Sequence, residues 1–436
     1  MKFFTTALLT IVCAIAVQAQ NPIVPSGTYL ADPSARVFNG KLYLYTSKDT
    51  GRTDYCSHRY DILSTTDMKH WTLNRNTFAS VGKDDKVPYG DPFLYAPDCI
   101  CKDGKYYMYY CTSGANDVEG VAVGNSPIGP FGNGKIIKGC NQIDPAVFID
   151  DDGQAYLYWG QFSAKCAKLK PNMTEIDPQT YKDGIITEKD HFFHEGIQMF
   201  KRNGIYYLAY ANIQRHGMAT CIGYSTSTSP TGPFKYGGII VDNFGCDPNV
   251  WNNHGSVAQF NGQWYVFYHR ATHGCVAMRK ACVEPITFNA DGSINEAEMT
   301  TQGAAGPLNP LDQMEAVRAC FLTGKVRVQA ISEDNDALTR IENLNTAAYK
   351  YFDFKKAPVK FTVKVTPRAG GSIRVFANDL CLPLLTTIEV PAGDGKTPVT
   401  LTGEINSDLT GVHPIYLRFI GQDDTDLFDV DWFKFD

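Results

Sequence analysis

Apolar and polar positions alternate with a period of two through most of this chain, and the alternating runs come in pairs hinged on a glycine. Five such pairs stand out: DPSARVFNGKLYLYTS from Asp32, APDCICKDGKYYMYYCTS from Ala96, DPAVFIDDDGQAYLYWGQ from Asp144, HEGIQMFKRNGIYYLAYAN from His194, and HGSVAQFNGQWYVFYHRAT from His254. Each begins with an acidic or histidine-bearing step, runs into an apolar strand, turns at NG, DG or a near equivalent, and returns through a tyrosine-rich strand. Tight two-residue turns need positive φ, which glycine tolerates, so each pair predicts a β-hairpin. The flanking Tyr, Phe, Val and Leu suit pleated, half-buried strands. The turn glycines Gly40, Gly104, Gly153, Gly204 and Gly262 are 64, 49, 51 and 58 residues apart, close to the four-strand period of a radial repeat. A second echo, SPIGPF from Ser126 and SPTGPF from Ser229, lies two units apart. The pattern predicts an all-β fold built on a five-bladed β-propeller.

The periodicity carries on through RKACVEPITFNADGSI and breaks at EMTTQGAAGPLNPLDQ from Glu298, which places a linker near Thr301 to Leu311. Strands resume in KFTVKVTP, SIRVFAN and HPIYLRFIG without helical periodicity, as expected of a β-sandwich of the jelly-roll kind. A chain of 436 residues exceeds what one core organises. The expected division is a leader over 1–19, a propeller over 20–305 and a sandwich over 306–436. In the leader, Lys2 precedes an apolar run and a Val-Gln-Ala end, the layout of a cleavable signal peptide, so the protein is expected to be secreted, periplasmic or extracellular. No other stretch is long and apolar enough to cross a bilayer, so no membrane insertion is expected.

A net charge of −6, with no Lys/Arg blocks, gives no reason to expect nucleic acid or an anionic membrane as partner. The thirteen cysteines could form bridges in an oxidising compartment but show no metal spacing. Cys99 and Cys101 lie in one predicted strand, where buried apolar filling or an unplaced disulfide accounts for them.

The innermost strands of a propeller converge on its axis, so their leading ends share one funnel. Here those ends carry Asp32, Asp98, Asp144, Glu195 and His254. Carboxylic groups crowded in one pocket repel each other's charge, so one is pushed towards its neutral form while another stays ionised, as a general acid and a general base require. Glycoside hydrolysis most often uses two opposed carboxyl groups, and their separation decides the stereochemistry. Asp before Pro is also a common turn starter, and Asp150, Asp151 and Asp152 are assigned to the hairpin tip. A satisfied structural histidine accounts for His254 as well as a ligand contact does.

The runs ADPS around Asp32, IDPAVFIDDDGQAYLYWG around Asp144 and HEGIQMFKRNGIYYLAYA around Glu195, in that order, resemble glycoside hydrolase family 43 from about Asn21 to Ile294. The resemblance implies an inverting five-bladed propeller with Asp32 as general base, Asp144 as modulator and Glu195 as general acid. It further implies that Arg279 contacts substrate and that His254 lies near the axis, where it could meet a calcium ion through water. Tyr95 and Asp98, in Tyr-Ala-Pro-Asp, match a substrate-side motif usually written with Trp first. No cofactor is implied for the chemistry.

The tail resembles carbohydrate-binding module family 6, in QMEAVRAC from Gln313 and in GVHPIYLRFIGQDDTDLFDVDWFKFD from Gly411. That likeness implies a structural calcium held by Glu315 and Asp431, with the usual Ala-Glu order reversed. A purely structural cap is the rival role for this domain.

The expected protein is a secreted, monomeric, inverting exo-glycosidase acting on furanosyl or pentosyl side chains of plant-type polysaccharides, with α-L-arabinofuranosidase as the leading activity. β-Xylosidase, galactofuranosidase, endo-arabinanase and a non-catalytic glycan-binding propeller are the alternatives.

Overall fold

The computed structural model describes residues 20–50, 54–113, 118–246, 252–332 and 335–436. The expected signal peptide at 1–19 lies outside the described residues. Each of the five hairpins grows into one blade. Blade one comprises β1 (Leu30–Phe38), β2 (Lys41–Lys48), β3 (Arg59–Thr65) and β4 (Thr72–Ala79). Blade two comprises β5 (Leu94–Lys102), β6 (Lys105–Thr112), β7 (Val118–Gly124) and β8 (Lys135–Asn141). In blade three follow β9 (Ala146–Ile149), β10 (Ala155–Trp159), β11 (Ser163–Lys168) and β12 (Lys182–Thr187), and in blade four β13 (Phe193–Arg202), β14 (Ile205–Asn212), β15 (Cys221–Ser227) and β16 (Lys235–Asp242). Blade five has β17 (Ser256–Phe260), β18 (Gln263–Thr272) and β19 (Cys275–Phe288), and Leu30 of β1 bridges in parallel to Lys280 of β19. Four of the hairpins turn on paired left-handed residues, as at Asn39 (φ 50) and Gly40 (φ 72), which matches the strand twist.

Counting back eight residues from the turn glycine, or nine in blade three with its longer Asp150–Gly153 turn, reaches Asp32, Ala96, Asp144, Gly196 and His254. The first four hold φ of 51, 32, 63 and 68. In blades one, two and four the ladder register also shifts at this point. The innermost strands therefore begin with a left-handed bulge, which re-aims the leading side chain out of the regular pleat.

Two residues further on, side chains pin neighbouring blades together. Ser34 Oγ donates to Asp98 Oδ1 (2.6 Å), Val147 N–H to Asp98 Oδ2 (2.8 Å), Val257 N–H to Gln198 Oε1 (3.1 Å) and Ala35 N–H to Ser256 Oγ (2.9 Å). Between blades three and four the same task falls to Asp144, whose Oδ2 accepts from Gly196 N–H at 3.0 Å.

The sandwich has two sheets. One runs 327–330, 336–339, 428–435, 360–367 and 399–404, with 314–315 on its 428–435 strand; the other runs 321–322, 346–354, 411–420, 371–377 and 384–390. The stretch expected as a linker is packed: Thr301 is fully buried and its carbonyl accepts from Asn21 N–H (2.9 Å), while Leu308 N–H donates to the Tyr351 carbonyl (2.7 Å). One apolar cluster joins Tyr268, Cys282 and Met299 to Cys320, Tyr349 and Phe352. Buried Arg270 crosses the same boundary, donating from Nη1 to the Ala319 carbonyl at 2.7 Å. All twelve cysteines of the described residues are free thiols, most of them buried, so they fill space as small apolar groups. No helix among the described residues is long and apolar enough to cross a membrane.

Because one core spans both units, the protein is expected to unfold in a single calorimetric transition. Two resolved transitions in differential scanning calorimetry would contradict a shared core.

Candidate active site

Three blades bring acid–base groups into one buried funnel. His254 Nδ1, from blade five, lies 3.6 Å from Asp32 Oδ1 of blade one and 3.8 Å from Asp144 Oδ2 of blade three. Asp32 is held ionised by a cation built from a third element. Arg279 Nη1 donates to Asp32 Oδ1 at 2.7 Å, and the other side of the guanidinium grips Asp49 with Nε to Oδ2 and Nη2 to Oδ1, both 2.9 Å. Asp49 is itself fixed by Cys56 N–H (2.9 Å) and Arg279 N–H (3.1 Å). Burial pushes the Asp32 carboxyl upward, but the Arg279 charge, then His254 and His269, outweigh it and bring the group down to about 2. His269 accepts the Asp32 backbone N–H on Nδ1 (3.1 Å), and burial holds its ring neutral, with a pKa of about 3.

Asp144 has the opposite setting. Burial first, then the charges of Glu195, Asp32 and Glu119, push its carboxyl well above the usual range, against a single backbone donor from Gly196. Sequence reasoning put the proton-holding carboxyl on Glu195. The structure raises Asp144 instead, with the charge of Glu195 adding to the effect of burial. The Glu195 side chain is 17% exposed against 7% for Asp144, so Glu195 is the one of the two that reaches outward. Its Oε2 accepts from Gln161 Nε2 at 2.8 Å. Gly196 allows this junction: at φ 68 a Cβ would sit 2.8 Å from His254 Cγ, so a side chain there would push the imidazole off the two aspartates. An ionised carboxylate, Asp32, thus shares the funnel with a carboxyl, Asp144, that burial and its neighbours' charges push towards the neutral form, and contrasted carboxyl groups of this kind are what general acid–base chemistry requires.

Residues 19–294 match the model of glycosyl hydrolases family 43. The chain belongs to that family. Residues 320–436 match the carbohydrate binding module (family 6). The hydrolase is 30% identical to a xylosidase/arabinosidase of Thermoclostridium stercorarium over 93% of this chain and 96% of that protein. It is similar to the crystal structure of a family 43 arabinoxylan arabinofuranohydrolase from Bacillus subtilis in complex with cellotetraose, with a TM-score of 0.55 and 26% identity over 96% of this chain and 99% of that one. A family 43 β-xylosidase/α-arabinofuranosidase from a compost microbial metagenome, solved with xylotriose in a calcium-free form, superposes with a TM-score of 0.56 and 31% identity over 65% of this chain and 99% of that one. A hydrolase domain joined to a carbohydrate module indicates a saccharide substrate.

Other expected site residues of the hydrolase fall elsewhere. Asp98 is 2% exposed and saturated: it takes Ser34, the Val147 and Cys99 N–H groups and the Arg36 guanidinium, so it pins blades rather than meeting sugar. The position equivalent to Asp32 in blade two is Ala96, which has no chemistry to offer. Arg279, expected on the substrate, spends its donors on Asp32 and Asp49 and serves as their clamp. Tyr95 is half-buried near Cys56, Ser113 and Arg279, and burial raises its phenol to about 12.

The calcium expected at Glu315 and Asp431 does not fit. Glu315 Oε2 is taken by Arg318 (2.6 Å), and Asp431 by Lys364 (2.8 Å) and Asn335 (3.0 Å). Among the described residues no three His, Cys, Asp or Glu side chains form a metal cluster.

Sequence reasoning missed Asp49, His269 and Gln161. None sits at the leading end of an innermost strand or in a motif that carried the family resemblance. Asp49→Ala would leave Arg279 buried without one of its two counter-charges and with two donors unpaired, and is expected to cost about 3–5 kcal/mol of stability. Urea melts should show this loss together with a drop in turnover; unchanged stability would refute the clamp.

Proposed function

We propose that the protein is an exported, monomeric, inverting exo-glycosidase that removes arabinofuranosyl or xylosyl units from plant-type polysaccharide, with the α-L-arabinofuranoside as the first expected substrate. The observation that carries the reading is the contrast between Asp32, held ionised by Arg279, and Asp144, pushed towards its neutral form by burial and by the charge of Glu195. The names of the relatives, xylosidase/arabinosidase and arabinoxylan arabinofuranohydrolase, support the substrate class. Asp32 acts as general base on a water molecule that attacks the anomeric carbon. Glu195 protonates the departing oxygen from the other side. Inversion needs the two carboxyls roughly 6.5–9.5 Å apart, leaving room for that water. Between Asp144 and Glu195 the roles divide by access: enclosed Asp144 keeps a proton in the site, and the more exposed Glu195 delivers it. Calcium, where bound, would touch the site only through water at His254, and no step depends on it.

Asp32→Asn and Glu195→Gln are each expected to lower turnover by about 10²–10⁴-fold with the fold intact, measured on α-L-arabinofuranosides, β-D-xylosides and β-D-galactofuranosides. The two losses should differ in kind. Nitrophenolate departs without help, so Glu195→Gln should lose less on 4-nitrophenyl glycosides than on oligosaccharides, whereas Asp32→Asn loses equally on both. An Asp32→Asn protein with wild-type turnover would end the assignment.

The pH profile follows from the same contrast. Asp32, lowered to about 2, stays ionised throughout the ordinary working range, and its stabilising contribution, present above the unfolded value, is lost only as pH falls through about 2. The alkaline limb of kcat/KM therefore reports the Asp144–Glu195 proton. In Asp144→Asn that limb is expected to move to lower pH, because a neutral side chain no longer repels charge on Glu195. A limb that stays in place would disprove the coupling.

A further inference from the structure

Phe162 is an apolar ring held out beside the acid by a rigid turn. It is 51% exposed, yet its backbone is bonded on both sides: its N–H donates to the His194 carbonyl (2.7 Å) and its carbonyl accepts from Glu188 N–H (2.9 Å). Its φ is 61, a left-handed conformation that bulky residues rarely adopt and that clusters at functional sites. The turn is fixed from the other side by Gly160, at φ 121, where a Cβ would lie 2.5 Å from the Ser163 carbonyl oxygen. What sets this ring apart from other exposed apolar side chains is its fixed backbone and its place beside His194. The ring stands edge-on to the His194 imidazole, 5.1 Å between centroids at 80°, and His194 is in turn braced by Glu188 at 3.0 Å.

Two neighbours tie the ring to the chemistry. Gln161, the residue before it, donates to Glu195 Oε2, and His194, the ring it touches, is the residue before Glu195. The ring therefore flanks the carboxyl that hands a proton to the departing oxygen. That oxygen joins the cleaved sugar to the leaving group, so what lies beyond it on the acid's side is the first sugar of the leaving group. A pyranose presents an axial C–H face that packs on an exposed aromatic ring, while its hydroxyl edge stays wet.

We propose that Phe162 is the platform for the first leaving-group sugar, a pyranose of the polysaccharide backbone, and that it sets preference for oligosaccharide over simple leaving groups. This rests on Glu195 as the acid. The test compares wild type, Phe162→Ala and Phe162→Trp on two substrates carrying the same cleaved sugar. One is a substituted xylo-oligosaccharide; the other is the glycosyl fluoride, whose leaving group has no sugar to stack and needs no proton. The ratio of kcat/KM on oligosaccharide to that on fluoride is expected to fall roughly tenfold in Phe162→Ala and to recover in Phe162→Trp. A ratio within about twofold of wild type in Phe162→Ala, whether both activities persist or both fall together, would overturn the proposal. Glu195→Gln, measured alongside, separates the two ideas: if it leaves oligosaccharide cleavage intact, the acid assignment fails whatever Phe162 does.

Discussion

In a regular strand, side chains alternate between the two faces of the sheet, and in a propeller blade both faces are covered by neighbouring blades. A carboxylate at the start of an innermost strand would then be turned into a blade interface, away from any substrate. The left-handed residue at Asp32, Asp144 and Gly196 removes that outcome, because one bulged residue re-aims the chain before the pleat begins. The regular pleat resumes two residues later, where Ser34, Asp98, Gln198 and Ser256 point between blades and bond them. Catalytic convergence and blade cohesion are thus consecutive consequences of one backbone feature. Asp144 performs both, since the oxygen that binds Gly196 N–H belongs to the carboxyl that faces His254.

Burying several carboxyl groups together is costly unless each is paired or neutral. The funnel uses both solutions at once. Asp32 receives a guanidinium that is itself anchored by Asp49, so its carboxylate is ionised and its geometry fixed from two sides. Asp144 receives no cation, and a proton takes its place. The asymmetry between Asp32 and Asp144 therefore comes from where Arg279 sits. Neither carboxylate's own sequence neighbourhood sets it.

That also explains what could be read in the chain. Glycine-hinged pairs fix the blades because turn chemistry is local. Asp32 and Asp144 stand out because the repeat brings equivalent positions into register, and Glu195 stands one residue before the equivalent Gly196. Asp98 misled for the same reason: Asp-Pro and Pro-Asp look alike by eye, but counting from Gly104 puts Ala96, not Asp98, at the bulge. Asp49 follows the end of β2, His269 is one of several polar residues in β18, and Gln161 lies in an interstrand turn. Their roles arise only when distant segments meet, and nothing local marks them. Glu315 and Asp431 do sit at neighbouring registers of one sheet, opposite Trp432 and beside it, but each carboxylate is satisfied by a cation of its own.

The sandwich bears on the active site through the pleat of blade five. In β18, His269 faces the axis and accepts the Asp32 N–H, and the next residue, Arg270, points the other way and binds the Ala319 carbonyl of the sandwich. In β19, Arg279 grips Asp32, and the next residue, Lys280, reaches Asp336 of the sandwich at 3.7 Å. Arg270 and Lys280 are direct partners in the β18–β19 ladder, so both contacts bear on one rung. A strand whose outer face is pinned has little freedom to tilt its inner face. Docking of the carbohydrate-module domain therefore holds both supports of Asp32, His269 and Arg279, at a fixed distance from its carboxylate. The domain thus acts as a brace for Asp32 through these contacts, whether or not it also grips glycan.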